Sequence, residues 1–397
     1  MAREHAVGSL VETDAQLQLQ GRRRDADVPV DGVPQAISPT LPDYGSSTYP
    51  RTTLEYAQAV PLGAEPFPRR GLHGLGLCEE ELVPMRVVLV GNGYFGSLYR
   101  ERIKQHQHME LVAIVDWDTT KFTDDAPVTA MSLDHLIDNM DFDAVVIATP
   151  PDSHANLSMM ALKASKHVFC AKPAAISLME FYHLASVASD ADAYFYVDYT
   201  MLAAPECNTI DQQFGILGEP CKMTSVRRVI TPTKPEGPIW DLLPHDAALF
   251  HYMMNLWEVG KPMISTINAG HHPNGVYVEL IDTTGTRVGF LSAQYEQKNP
   301  LKIVTFDAKP HKHVTNPNLV VEWNQVQRSV TIASQDTELD LWFAHHPDPI
   351  SLSLDRFYRQ ASAGFFNNLS QDEWVTQVLD AAERSLAEGE PVGLVAS

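Results

Sequence analysis

The sequence predicts an α/β fold in which a doubly wound parallel sheet is followed by an α+β domain built on a mainly antiparallel open sheet. Three observations predict it. An apolar, β-branched run from Val87 to Val90 stops at the glycine-rich GNGYFG; strand-like and helix-like segments then alternate as far as residue 200; beyond that, strand follows strand with short turns between them. Strands separated by helices pair in parallel through right-handed crossovers that cover both faces of a sheet. Strands joined by short turns pair antiparallel instead.

Taken in order, residues 1–84 hold nine of the 27 prolines and no lysine, and show no sustained helical or strand period. Such a segment buries little apolar area and reads as a flexible extension or a wrapping arm. From Met85 the first domain, 85–200, begins with a strand at 86–91 and a helix to about 106. A second strand at 110–116 ends in Asp116, a helix lies near 132–139, and DFDAVVIATP is the third strand. DSHANLSMMALKAS and SLMEFYHLASVAS are helices, each followed by a strand, HVFCAKP preceding the second helix and AYFYVDYTM ending the domain. In the second domain, 201–397, KMTSVRRVI, PMISTINAG, VYVELID, RVGFLSAQY, LKIVTFDA, LVVEWNQ and SVTIAS read as strands, with DTTG as a hairpin turn. Helices near 349–367 and 371–389 close the chain. Alternation puts Val276, Val278 and Leu280 on one face of their strand, with Tyr277, Glu279 and Ile281 opposite. On the hairpin partner it separates Val288, Phe290 and Ser292 from Gly289, Leu291 and Ala293. Neither face is strongly charged, so both are expected to be covered, one by the closing helices and the other by a second subunit.

Composition excludes several classes. A formal net charge of -21 opposes binding to nucleic acid or an anionic membrane surface. No apolar run approaches the ~20 residues of a membrane span, and the polar N-terminus lacks the apolar core of a secretory signal; a cytoplasmic location is expected. Cys78, Cys170, Cys207 and Cys221 show no metal-like spacing and suit reduced thiols. The close pairs His271/His272, His311/His313 and His345/His346 lie beside Pro or Gly and read as solvated loop histidines, so no metal is expected.

The glycine turn supplies the chemistry. In a dinucleotide site Gly91 permits the tight turn, Gly93 lets the backbone approach a pyrophosphate, and Gly96 lets the helix pack close to the strand. Tyr94 and Phe95 then open the helix whose free amides hold the phosphates. A glycine turn without a ligand is the alternative, and the second strand weighs against it. Asp116 ends that strand 25 residues after Gly91, where a carboxylate accepts ribose hydroxyls and repels a 2′-phosphate, so NAD(H) is favoured over NADP(H). Thr149, Pro150 and His154 lie in ATPPDSH and Lys172 in CAKPAA, both at carboxyl ends of strands, where ligands of open α/β sheets bind. In WDLLPHDAALFHY, Asp241 and His245 stand one helical turn apart on a common face.

The order GNGYFG, acidic strand end, ATPPDSH, AKP and DxxxHD resembles the glucose-fructose oxidoreductase / inositol dehydrogenase (Gfo/Idh/MocA) family of NAD(P)-dependent oxidoreductases. The resemblance covers about residues 85–395 and leaves the first 84 unexplained. It implies a Rossmann domain plus an α+β domain whose open sheet forms subunit contacts, hence a homo-oligomer. The implied reaction moves a hydride between nicotinamide and a hydroxyl or keto carbon of a sugar, activated sugar or cyclitol. By position, Lys172 matches the lysine that contacts cofactor ribose and substrate hydroxyl, and His245 matches the proton carrier. Asp241 would orient the imidazole or bind a substrate hydroxyl, and Trp240 would stack on a pyranose. Asp246 is open to a place in the sugar site, and Arg227, Arg228 and Lys234 either meet a phosphate or form a solvated face. The chain departs from the family at Ala171, where a glutamate is expected. That departure sustains an alternative reading, a catalytically weakened dinucleotide-binding sensor or scaffold.

Overall fold

The computed structural model describes residues 83–122, 128–254, 263–296, 298–311, 319–334, 338–365 and 367–394, so the expected extension at 1–84 lies almost wholly outside the described residues, as do Cys78 and His313. The first sheet is centred on β1 (Met85–Val90) and β4 (Ala144–Ile147). On one side lie β2 (Met109–Val115) and β3 (Thr129–Ala130), on the other β5 (His167–Ala171) and β6 (Phe195–Asp198). All are parallel in the order β3-β2-β1-β4-β5-β6. The helices between them are α1 (Tyr94–Gln105), α2 (Leu133–Asn139), α3 (His154–Lys163) and α4 (Leu178–Asp190). Because the chain leaves β1 toward β2 and returns on its other side at β4, a crevice opens beyond the carboxyl ends of these two strands. β3 is only two residues long, too short to carry a period, and is the strand the sequence reading lacks.

The second sheet holds β7 (Gly218–Val229), β8 (Ile264–His272), β9 (Gly275–Asp282), β10 (Arg287–Tyr295), β11 (Leu301–Pro310), β12 (Leu319–Asn324), β13 (Ser329–Ala333), β14 (Glu338–Trp342) and β15 (Val392–Gly393). Its order is β14-β13-β12-β11-β7-β10-β9-β8-β15, antiparallel except where β7 lies parallel to β10. The hairpin register sets Leu280 against Gly289, Val278 against Leu291 and Val276 against Ala293, all buried. This face meets α7 (Leu243–Met253), whose Phe250 comes so close that a Cβ on Gly289 would lie 2.8 Å from its ring. A bulge between Arg287 and Gly289 turns Val288 inward as well, although alternation assigned it to the other face. The outward face carries Tyr277 stacked on Phe290 (5.8 Å between centroids) and an Arg287–Glu279 ion pair of 2.7 Å.

The remaining helices are α5 (Pro205–Leu217), the short α6 (Gly237–Asp241), α8 (Pro349–Ser362) and α9 (Ser370–Glu388). Although α8 follows the second sheet in sequence, it packs on the first. Leu354, Phe357 and Ala361 share a core with Leu89, Leu111 and Phe169. At its rim Ser353 donates to Asp198 at 2.7 Å, and the Tyr99 hydroxyl donates to the same buried carboxylate at 2.6 Å.

Candidate active site

The glycine turn is built as its residues require. Gly91 has φ +87°, and a Cβ there would lie 2.9 Å from Ala148 and Thr149 at the end of β4. A Cβ on Gly96 would fall on the Gly91 carbonyl, so α1 approaches β1 closely only through a glycine. Gly93 instead faces open space, and the helix it caps has no side-chain cap, leaving the first-turn amides available to an anion. Tyr94 and Phe95 are exposed beside it. Asp116 closes the other side: one carboxylate oxygen accepts from the Asn92 amide at 2.8 Å and the other from the Asp118 amide at 2.9 Å. Each oxygen keeps a lone pair, because a carboxylate offers about four acceptor sites. The residues present therefore fit a dinucleotide. Trp117, next to Asp116, is 79% exposed and was not singled out by sequence.

Beyond β4 and β5 the two loops are tied by His154. Its Nδ1 lies 2.8 Å from the Pro173 carbonyl and its Nε2 2.8 Å from the Thr149 carbonyl. The ring is buried, and burial holds its pKa below the ordinary value. His154 thus positions the Thr149 and Lys172 loops from beneath, a different place from the cofactor contact expected of it. Thr149 itself shares a 2.6 Å hydrogen bond with Ser153, and Pro150 precedes the short 3-10 turn that leads into α3.

Lys172, Asp241 and His245 converge, but not on one continuous helix. Pro244 lacks the N–H that would bond back one turn, so α6 ends at Asp241 and α7 starts at Leu243. The break leaves the Asp241 carbonyl free of helix bonding, and the Lys172 ammonium donates to it. The Asp241 carboxylate lies 3.5 Å from the same ammonium, 2.8 Å from that of Lys234, and accepts from the Tyr295 hydroxyl at 3.0 Å. Burial pushes the Lys172 pKa down to about 8 against the pull of Asp241. Burial works to raise the pKa of Asp241, but the two lysines and Tyr295 outweigh it and hold the carboxyl below its ordinary range. His245 is half-buried, and its Nδ1 is enclosed without a hydrogen-bond partner, leaving Nε2 as the nitrogen a ligand can reach. Burial, then the charges of Lys172, Arg227, Lys302 and Lys234, hold its pKa well below the ordinary value, so the ring is neutral near neutral pH.

Three neighbours do not stand where the sequence reading put them. Trp240 is buried, and its indole N–H donates to Glu383 at 3.2 Å, so it offers no face to a sugar. Successive residues of a helix point about 100° apart, which sends Trp240 to α9 while Asp241 meets Lys172. Asp246, wholly buried, accepts from Ser225 (2.8 Å) and from two nitrogens of Arg227 (2.7 and 2.9 Å). Both are committed to a structural pair rather than to a sugar or a phosphate. Tyr295 and Lys302 are the site residues the sequence reading missed; Tyr295 lies 54 residues beyond Asp241 in the chain and carried no motif. A cleft of about 650 Å³ lined by Thr233, Glu236, His272, Tyr295 and Glu383 borders α6, with neither Lys172 nor His245 in its wall. Among the described residues no group of three or more His, Cys, Asp or Glu is placed to hold a metal ion, and no helix is long and apolar enough to cross a membrane.

Residues 85–199 match the model of an oxidoreductase family with an NAD-binding Rossmann fold, GFO_IDH_MocA. This domain belongs to the Gfo/Idh/MocA oxidoreductase family. The chain is 27% identical over 169 residues to the uncharacterized oxidoreductase YrbE of Bacillus subtilis, covering 41% of this chain and 48% of that one. It is 27% identical over 178 residues to the inositol 2-dehydrogenase of Rhizobium meliloti, covering 43% and 51%. The chain thus spans about half the length of these curated relatives. In fold it is similar to the scyllo-inositol dehydrogenase of Lactobacillus casei solved with NAD(H) and scyllo-inositol, with a TM-score of 0.64, 16% identity, and coverage of 79% of this chain and 100% of that one. The likeness in fold therefore extends through the second sheet.

Proposed function

We propose that the chain is an NAD(H)-dependent oxidoreductase acting on a hydroxyl or keto carbon of a sugar, activated sugar or cyclitol. The observation that carries this reading is the meeting of a neutral His245, a cationic Lys172 and an open glycine turn at the carboxyl ends of β1, β4 and β5. The activities of the inositol dehydrogenase relatives support it. A bound nicotinamide supplies the hydride acceptor or donor. In the oxidising direction the substrate hydroxyl loses its proton to His245 Nε2, which is available because the ring is neutral. The Lys172 ammonium stabilises the alkoxide that forms, and Asp241 keeps that ammonium charged and aimed. In the reducing direction the imidazolium returns the proton to the nascent oxygen. Asp116 takes the ribose hydroxyls and Trp117 offers its face to the adenine.

Ala171 bears on how the site is poised. It pairs with Asp198 across β5 and β6, on the face where that carboxylate is buried. A glutamate at 171 would put a second negative charge there, so alanine suits this chain's interior.

Titration with NADH and NADPH, then turnover on a panel of polyols, tests the proposal. Tight NADH binding with weaker NADPH binding is expected, and Asp116→Ser moves the preference toward NADPH. Absence of binding to either cofactor ends the reading, while binding without turnover of any polyol favours the sensor or scaffold.

A further inference from the structure

Charge around His245 does not balance. Lys172 and Lys234 share the single carboxylate of Asp241, at 3.5 and 2.8 Å from the same oxygen. Arg227 is neutralised by Asp246 in a buried two-nitrogen pair. Lys302 stands directly across from Arg227 in the β11–β7 register, so the two side chains share the sheet face under α7. Lys302 is half-buried, and among the described residues no carboxylate lies within 4 Å of its ammonium. Four cations thus face two carboxylates, in a chain whose net charge is -21. Next to Lys302, Gln325 donates its backbone N–H to the Lys302 carbonyl at 2.9 Å and accepts weakly from Arg227 through Oε1, at 3.4 Å. Its Nε2 is buried with no partner. A buried donor left unsatisfied is destabilising, and so is a partly buried charge without a partner.

A ligand that carries an anion would answer both the Lys302 ammonium and the buried Gln325 Nε2. The pyrophosphate of a dinucleotide does not supply it, because its donors are the amides at Gly93 and the start of α1. When bound, an oxidised nicotinamide would add a further positive charge rather than the missing negative one.

We infer that the substrate is an anionic polyol, a sugar or cyclitol derivative bearing a carboxylate or phosphate, whose charged group meets Lys302 with Gln325 behind it while a hydroxyl faces His245. The inference rests on the oxidoreductase reading for the hydroxyl and on the charge imbalance for the anion. A bound anion also offsets the cations that depress His245 and makes it a stronger base only when the correct substrate is present.

The test is calorimetric titration of the full chain, with and without NADH, using D-gluconate, D-glucuronate, D-glucose 6-phosphate, D-glucose and myo-inositol. At least one acid binds about tenfold or more tighter than the neutral polyols, and Lys302→Met removes that advantage. Lys302→Arg retains it, and Gln325→Leu weakens the acids about threefold to tenfold, which keeps the test decisive where Lys302→Met fails to fold. Preference for the carboxylates or for the phosphate identifies which anion the pocket takes. No acid bound more tightly than the neutral polyols, no acid binding at millimolar concentration, or an advantage that survives Lys302→Met overturns the inference. Loss of NADH binding alone removes the oxidoreductase reading instead, because the difference between acids and neutral polyols is read in the free protein too.

Discussion

Replacing Asp241 by asparagine keeps the shape of the site and removes one charge, which makes it the sharpest probe of how Lys172 is tuned. The Lys172 ammonium lies 3.5 Å from the Asp241 carboxylate, and burial already brings its pKa down to about 8. At an effective dielectric constant of about 20, two unit charges at this distance interact by roughly 4–5 kcal/mol, which sets a ceiling of about 3 pKa units. Opposite charges this close commonly shift a pKa by about 1–3 units. Losing the carboxylate favours the neutral amine, so the Lys172 pKa falls to about 7 or below. Lys234, 2.8 Å from the same oxygen, is no longer neutralised and pushes in the same direction. At about pH 7.5 the protonated fraction drops from roughly three-quarters to about a quarter or less. Competitive acetylation across pH 6–10, read by mass spectrometry of the Lys172 peptide, reports this directly, because only the free amine reacts. The wild-type midpoint falls near 8 and the Asp241→Asn midpoint at least about one unit lower, with the basic limb of kcat/KM moving the same way. A midpoint that stays or rises refutes the assignment of Asp241 as the group that keeps Lys172 charged.

Burial of Asp372 at the start of α9 raises its pKa to about 7, so between about pH 4 and 7 the native state binds a proton that the unfolded chain has released, and stability falls as pH rises through that window. Asp372→Asn therefore stabilises the protein at pH 8, by up to about 4 kcal/mol, and changes little at pH 4.5; equal effects at both in urea unfolding would sink the argument. Arg227→Met leaves Asp246 buried and unpaired and costs about 3–5 kcal/mol, whereas the double variant Arg227→Met/Asp246→Leu recovers most of it; additive losses in denaturation would show that the two are not a pair. The outward face of β9 and β10, with its Tyr277–Phe290 stack, is proposed as the subunit contact: sedimentation gives an oligomer for the full chain and a monomer for Phe290→Glu, and a monomeric wild type defeats it.

Much of the first sheet was legible because it is written in strong periods. Val87 to Val90 are buried on both faces and read as a continuous apolar run, and Gly91, Gly96 and Asp116 stand at positions fixed by turn geometry. Helix α5 was missed although Cys207, Ile210, Phe214 and Leu217 keep a helical spacing, because Glu206, Asn208, Thr209 and Gln213, buried beside them, blur that stripe with polar residues. β14 alternates without burying either face deeply, and β15 is two residues long. In the site, Lys172 and His245 carried motifs, but Lys234, Tyr295 and Lys302 owe their places to chain segments brought together by tertiary packing. The one-turn spacing of Asp241 and His245 overlooked the break that Pro244 makes between them, and adjacency in sequence made Trp240 resemble a site residue when it is a core one.

The return of α8 to the first sheet has a consequence for biosynthesis. A nascent chain that has reached residue 200 possesses all six strands of the nucleotide-binding half, yet Phe169 and Tyr196 still lack the helix that seats Phe357 upon them. Asp198, which needs the Ser353 hydroxyl as well as that of Tyr99, waits equally long. The half that begins first is finished only when nearly the whole chain has left the ribosome. An excised fragment of residues 83–200 would carry every glycine and acid of the dinucleotide site on a sheet that keeps Tyr99 and Ile103 of α1 on this face but loses the cover of Leu354, Phe357 and Ala361.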